Sequence, residues 1–329
     1  MDFVEIKEQI LAKIKEYETI IIVRHIRPDG DCIGSSLGLR DVLRTSFPEK
    51  NIYSIGKDSA EYLSFIGEED KELEEDVYKK ALIIAVDTAS SDRISNDFYK
   101  SGKELIKIDH HLNTNPYGDI CYVRSDMPAA CCIIFDFFYT FKNELKMTKM
   151  GARALFSGIV TDTGRFRYSS VDSNTLITAS HLLEYGIDTE EIYSKLYIRD
   201  SSLLKLEGWL LNNYKETKNG VVYIHITKKI MKHFKLDYES SASLINSLDS
   251  IKGDLIWIIF IDQVDMIRVR IRSRFVECVK VGQKYRGGGH PQACGATVYN
   301  KKELNELVEY ADSLVKEYKE NNEGWLWES

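Results

Sequence analysis

The chain has 329 residues, with 44 Lys and Arg against 51 Asp and Glu, a formal charge of −7. That length accommodates two domains with a core each, and 43% hydrophobic with 29% charged residues excludes a disordered chain, a collagen-like repeat or a disulfide scaffold. The acidic balance argues against coating long DNA through bulk positive charge. Apolar runs such as Leu82–Val86 and Leu255–Ile261 are strand-sized, far short of the ~20 residues of a membrane span. No membrane partner is therefore expected. The first 18 residues are rich in Glu and Lys and lack the apolar core of a signal peptide, and the six cysteines form no CxxC pair. A cytoplasmic protein with reduced, buried thiols is expected.

In chain order, Val4–Tyr17 has helical spacing of apolar residues and Thr19–Val23 is a short β-branched run that predicts a strand. Gly34–Ser46 predicts a helix, Ala81–Val86 and Glu104–Ile108 predict two more strands, and Met150–Val160 a further helix. This alternation predicts an α/β domain with a mainly parallel sheet. Asn174–Tyr185 and Ile192–Tyr214 read as helices, with the latter region as a helical linker. After Gly220 the texture changes to strands at Val221–Ile226, Asp254–Ile261 and Met266–Ile271, closed by a helix at Leu304–Tyr318. The expected division is residues 1–188, a linker at 189–214, and a smaller α+β domain at 215–329. Trp325 and Trp327 are expected to dock the terminus.

The stretch from Arg24 to Ser36 joins a strand to a helix and places His25, Asp29 and Asp31 within seven residues. Asp87 ends the next strand, Asp109-His110-His111 ends another, and Asp162 follows a helix. In an open α/β sheet, ligands bind at the carboxyl ends of the strands. Taken singly, an Asp after a strand is more often a turn former or helix cap than a ligand. Four such segments in one domain instead suggest a shared centre of imidazole and hard oxygen donors, suited to Mn, Fe or Co rather than to a thiolate zinc site. The donors suffice for two ions sharing one carboxylate. Two such ions activate water near neutral pH and neutralise a phosphoryl transition state, so phosphoester hydrolysis is the natural chemistry.

Farther along, Arg268, Arg270, Arg272 and Arg274 alternate, so a strand would put all four on one face. Residues 262–290 hold seven Lys and Arg against three acids, a local +4. Arginines in that pattern suit bidentate grip on phosphate. Gly287-Gly288-Gly289-His290 lets backbone N–H groups approach an anion, and His290 adds a ring donor.

His25-x-x-x-Asp29-x-Asp31, Asp87, Asp109-His110-His111 and Asp162 resemble the four motifs of the DHH phosphoesterase superfamily. The arginine strand and the GGGH segment resemble its DHH-associated C-terminal domain, and the two-domain length is most similar to the NrnA-type subgroup. The resemblance implies a DHH catalytic domain joined by a helical linker to a substrate-binding domain, with the active site between them. It implies two Mn2+ ions, with Mg2+ or Co2+ as substitutes. His25 and Asp29 would bind the first ion, Asp31, His110 and Asp162 the second, with Asp87 bridging. Asp109 would orient a histidine, and His111 would face the scissile phosphate. Arg272, Ser273, Gly287, Gly288, Gly289 and His290 would bind substrate. The implied reactions are hydrolysis of short RNA or DNA oligonucleotides to nucleoside 5′-monophosphates and dephosphorylation of 3′-phosphoadenosine 5′-phosphate (pAp) to AMP. A single-strand DNA exonuclease, a cyclic dinucleotide hydrolase, an inorganic pyrophosphatase, a nucleotide-binding regulator without turnover and a nucleic-acid-binding module with incidental metal sites remain open, as does a homodimer.

Overall fold

The computed structural model describes residues 3–58 and 60–324; Trp325 and Trp327 lie outside the described residues. The chain divides into two compact units, Met1–Ile198 and Arg199–Ser329. Among the described residues no helix is long and apolar enough to cross a membrane.

The first unit is built on β1 (Thr19–Val23), β2 (Asn51–Ile55), β3 (Leu82–Val86), β4 (Glu104–Asp109) and β5 (Ile120–Val123). They form a parallel sheet in the order β2-β1-β3-β4-β5. Around it stand α1 (Phe3–Glu16), α2 (Gly30–Ser46), the short α3 (Glu75–Tyr78), α4 (Ala130–Thr140), α5 (Lys149–Asp162), α6 (Ser173–Leu183) and α7 (Thr189–Tyr197). Strand alternation sends Ile20, Ile22, Leu82, Ile84, Ile106 and Ile108 into a core with α2, α4 and α5. Ile21, Val23, Ile83 and Ala85 enter a second core on the other face with Ile55 and Tyr78. Both faces are covered, which is why β1 and β3 at the centre of the sheet read as unbroken apolar runs. The chain order reverses between β1 and β3, so the loops leaving β1, β3 and β4 lie side by side at the topological switch.

Helix α2 begins at Gly30, four residues before the sequence predicts, because the Asp29 side chain caps it. Asp162 is the last residue of α5 rather than a residue beyond it. Helices α2 and α5 pack through small residues. A Cβ at Gly34 would stand 2.5 Å from the carbonyl oxygen of Ala154, and one at Gly158 would stand 2.3 Å from Cys131 Sγ and 3.0 Å from Asp31 Cα. This close approach brings the ends of α2 and α5 carrying Asp31 and Asp162 together.

The helix expected over Ile192–Tyr214 is two helices, α7 and α8 (Ser201–Asn213), and the boundary between the units falls at the break. In the second unit, β6 (Lys215–Glu216), β7 (Val221–Ile226), β8 (Ile256–Asp262), β9 (Ile267–Ser273), β10 (Gly288–His290) and β11 (Ala293–Val298) make a sheet in the order β10-β11-β9-β8-β7-β6. Apart from the parallel β7–β8 pair its ladders are antiparallel. Helices α9 (Lys228–Phe234) and α10 (Tyr238–Ala242) follow β7, α11 (Val279–Lys284) precedes β10, and α12 (Lys301–Asn321) closes the chain. Ile256, Ile258, Val269 and Ile271 pack with Leu307, Ala311 and Val315 of α12. Trp257, Ile259 and Ile261 pack on the other face with Leu206 and Leu210 of α8.

Candidate active site

Three neighbouring strands and one helix end deliver the side chains. His25 lies just beyond β1. Its Nδ1–H donates to the Ile26 carbonyl at 2.8 Å, so Nε2 is the atom that meets the carboxylates. That nitrogen stands 3.5 Å from Asp29 Oδ2 and 3.5 Å from Asp87 Oδ2. Asp29 serves two purposes: Oδ1 accepts from the N–H groups of Asp31 and Cys32, both at 3.1 Å, and Oδ2 faces His25. The helix-cap reading of this aspartate and the ligand reading are therefore compatible.

His110 Nε2 lies 3.3 Å from Asp87 Oδ1, 3.4 Å from Asp162 Oδ2 and 3.8 Å from Asp31 Oδ2. Asp31 is fully buried; its oxygens accept from the N–H groups of Ala130 at 2.6 Å and Cys131 at 2.9 Å in the first turn of α4. The two oxygens of Asp87 thus point to two separate groups, one with His25 and Asp29, the other with His110. Asp87 itself is 1% exposed, its φ is +46°, and its Oδ1 makes no hydrogen bond among the described residues. A strained backbone holding an unsatisfied buried carboxylate oxygen is a usual mark of a functional site.

The ligand atoms within each of the sets His25–Asp29–Cys32–Asp87, Asp87–His110–His111 and Asp31–His110–Asp162 lie within 4.8 Å of one another, and each set could hold a metal ion. Nitrogen and oxygen donors of this kind, with an orphaned oxygen at their centre, fit hard or borderline divalent cations. Cys32 joins the first set beyond the histidine and carboxylates named from the sequence. Burial pushes its thiol up to about 12, so it stays protonated beside His25.

Among these side chains themselves, electrostatics favour extra protons. Burial, then the charge of Asp87, pushes Asp31 up, and burial with the charges of Asp31, Asp87 and Asp29 pushes Asp162 up further. Burial works against the charged form of His110, but the adjacent Asp87 carboxylate and the charges of Asp31 and Asp162 raise it. His25 is raised far above its ordinary value against the same opposition from burial, by Asp29 and Asp87.

Asp109 is fully buried and Oδ1 accepts from His111 Nδ1–H at 2.8 Å and from its backbone N–H at 3.3 Å. Nε2 is the ring atom left for a substrate, and the side chain is 43% exposed. His110 faces three carboxylates while His111 is held by Asp109, so the geometry gives the two histidines different surroundings. Arg24 immediately precedes His25. It is fully buried, with Nε 3.0 Å and Nη2 2.6 Å from the Glu69 carboxylate and Nη1 donating to the His25 carbonyl at 3.0 Å. It pins the loop that carries His25.

In the second unit, Arg268, Arg270 and Arg272 lie opposite Ile261, Ile259 and Trp257, on the α8 side of the sheet. Arg274 falls beyond β9 and stacks 5.2 Å over the Trp257 ring. Arg272 has no carboxylate partner among the described residues; burial and then Arg270 hold its guanidinium below the ordinary value. Ser273 does not share that face: it is buried, pairs with Ile256, and its hydroxyl donates to the Val276 carbonyl at 2.6 Å. Gly288, Gly289 and His290 are not a free loop but the exposed edge strand β10, paired with β11 on one side. A Cβ at Gly287 would stand 1.9 Å from the Gly295 carbonyl oxygen, so the glycines permit close pairing as well as an open edge. Edge strands carry unpaired N–H groups of the kind an anion accepts.

A family model described as DHH family, N-terminal domain matches residues 19–159, and the DHHA1 domain matches residues 219–317. The chain is 35% identical over 313 residues to the bifunctional oligoribonuclease and PAP phosphatase NrnA of Bacillus subtilis, spanning 95% of this chain and 99% of that protein. It is 38% identical over 308 residues to the probable bifunctional oligoribonuclease and PAP phosphatase NrnA of Streptococcus mutans, spanning 93% and 98%. The crystal structure of an exopolyphosphatase-related protein from Bacteroides fragilis matches with a TM-score of 0.83 at 27% identity, over 96% of each chain. With both domains matched in order and relatives aligned over nearly their full length, the chain belongs to the DHH phosphoesterase family, in its DHH–DHHA1 form, alongside the proteins named NrnA.

Proposed function

We propose that this chain is a manganese-dependent phosphoesterase that trims short oligonucleotides to nucleoside 5′-monophosphates and removes the 3′-phosphate of pAp. The observation that carries the reading is the Asp87 carboxylate, one oxygen toward His25 and the other toward His110. The names of the full-length relatives supply the substrate class. His25, Asp29 and Asp87 would hold one ion, and Asp31, Asp87, His110 and Asp162 the other. When bound, the pair supplies an activated water and neutralises charge on phosphorus. Asp109 fixes the His111 ring, and Nε2 stabilises or protonates the departing oxygen. Arg272, the backbone of Gly287, Gly288 and Gly289, and the His290 ring bind the substrate's other phosphate. Ser273 acts by holding the turn at Val276 rather than by touching substrate. The six free thiols suit a reducing cytoplasm.

Metal-stripped protein incubated with labelled RNA of two to twenty nucleotides and with pAp, with and without Mn2+, tests this reading. Mn2+-dependent release of monophosphates, fastest on the shortest oligomers, together with AMP from pAp, is expected. Preference for long strands, or equal turnover without a divalent ion, would contradict it.

A further inference from the structure

Lys107 has no exposed surface. It lies two residues before Asp109 on β4, so strand alternation puts ammonium and carboxylate on one face, with Nζ 3.3 Å from Asp109 Oδ2. That carboxylate oxygen makes no hydrogen bond among the described residues. Nζ also donates to the Ala89 carbonyl at 2.9 Å and to Asn113 Oδ1 at 3.4 Å, and lies 4.7 Å over the Tyr117 ring. The Tyr117 hydroxyl donates to the Thr88 carbonyl at 2.8 Å. One buried cation therefore joins the loop after Asp87, the strand carrying Asp109 and the loop after His111.

In the ladder Lys107 is flanked by Ala85 on β3 and Cys121 on β5, small neighbours between which an apolar side chain would fit without desolvating a charge. The ammonium instead ties the loop after Asp87 to the loop after His111 and stands beside Asp109, the group that sets the His111 ring. We propose that Lys107 is a positioning residue for the hydrolysis: it fixes the Asp109 carboxylate, which fixes the His111 ring with Nε2 turned to the substrate. The proposal rests on the reading that His111 acts on the scissile phosphate.

The test is a double-mutant cycle in the full chain with Mn2+ and pAp. Lys107→Gln, Lys107→Met and Lys107→Arg are each made in the wild type and in a His111→Ala background. In the wild type the two neutral replacements lower kcat by roughly 10- to 100-fold while KM stays within about twofold, and Lys107→Arg recovers part of the loss. In the His111→Ala background the same replacements change kcat by less than about twofold, because the residue they act through is gone. In the metal-free protein, imidazole 15N shifts report a single His111 tautomer in the wild type and a mixture in Lys107→Gln. Equal losses in both backgrounds, a loss confined to KM, an unchanged tautomer, or failure of all three Lys107 variants to fold would overturn the proposal. Wild-type turnover by His111→Ala alone would instead remove the reading of His111 on which it rests.

Discussion

At Asp87 the backbone leaves β3 with φ at +46°, a conformation that costs a non-glycine residue about 1 kcal/mol or more. The return is a carboxylate presented to His25 and to His110 at once. Asp87→Asn keeps the shape and removes half of that grip, so kcat should fall by about 100- to 1,000-fold in steady-state assays with an unchanged unfolding transition. Asp162 is a different case. It is pushed up to about 9 from 3.8 by burial and by Asp31, Asp87 and Asp29, so ionising it costs the metal-free fold. Asp162→Asn should therefore stabilise metal-free protein at pH 8 while depressing activity; calorimetry and turnover read the two effects separately. The same crowding sets a pH dependence. Asp31, raised from 3.8 to about 7, Asp162, raised to about 9, and His110, raised from 6.5 to about 10, each bind a proton more tightly folded than unfolded. Their contribution is present at low pH and lost as pH rises through those folded values, so metal-free protein should melt at lower temperature at pH 9 than at pH 5. Depressed carboxyls such as Asp29 and Asp58 act near and below pH 4, outside this window. Divalent ions displace these protons, so the rise in Tm on adding Mn2+ should grow with pH, as scanning calorimetry can measure.

The elements that set these side chains were unequally legible from the amino-acid sequence. Strands β1 and β3 are continuous apolar runs and β4 is interrupted at Lys107; the three lead into His25, Asp87 and Asp109, and strand-end position alone located all three motifs. Helix α4 escaped notice because Ala130–Thr140 is apolar on nearly every side and shows no helical period. Yet its first turn supplies the N–H groups that hold Asp31. Arg24 and Lys107 carry no sequence signal of burial, and nothing short of three-dimensional packing shows that both are fully buried. Arg272 and Ser273 are adjacent in sequence but opposite in the sheet, a consequence of period two that a paired motif conceals. The glycines of α2 carried an unused signal, since Gly30, Gly34 and Gly38 recur every four residues on one side of the helix. Gly34→Leu would drive a side chain into the Ala154 carbonyl, 2.5 Å from its Cβ. It should cost about 1–3 kcal/mol in urea unfolding and separate Asp31 from Asp162, weakening metal-dependent activity as well.

Over the whole molecule, the net charge of −7 excludes bulk attraction to a long polyanion, but it conceals an uneven distribution. Asp29, Asp31, Asp87 and Asp162 converge in the first unit, while Arg268, Arg270 and Arg272 share one sheet face in the second. Such a protein suits a short, highly charged substrate held by a few contacts. Arg272→Ala should raise KM for pAp about tenfold or more with kcat within roughly threefold, because the proposed grip of the guanidinium on phosphate would be the same before and during reaction. The most direct test of the whole account is anomalous diffraction at the manganese edge from crystals soaked in Mn2+. Two peaks are predicted on opposite oxygens of Asp87, one bounded by His25 and Asp29, the other by Asp31, His110 and Asp162. A single peak, or none in contact with Asp87, would contradict it.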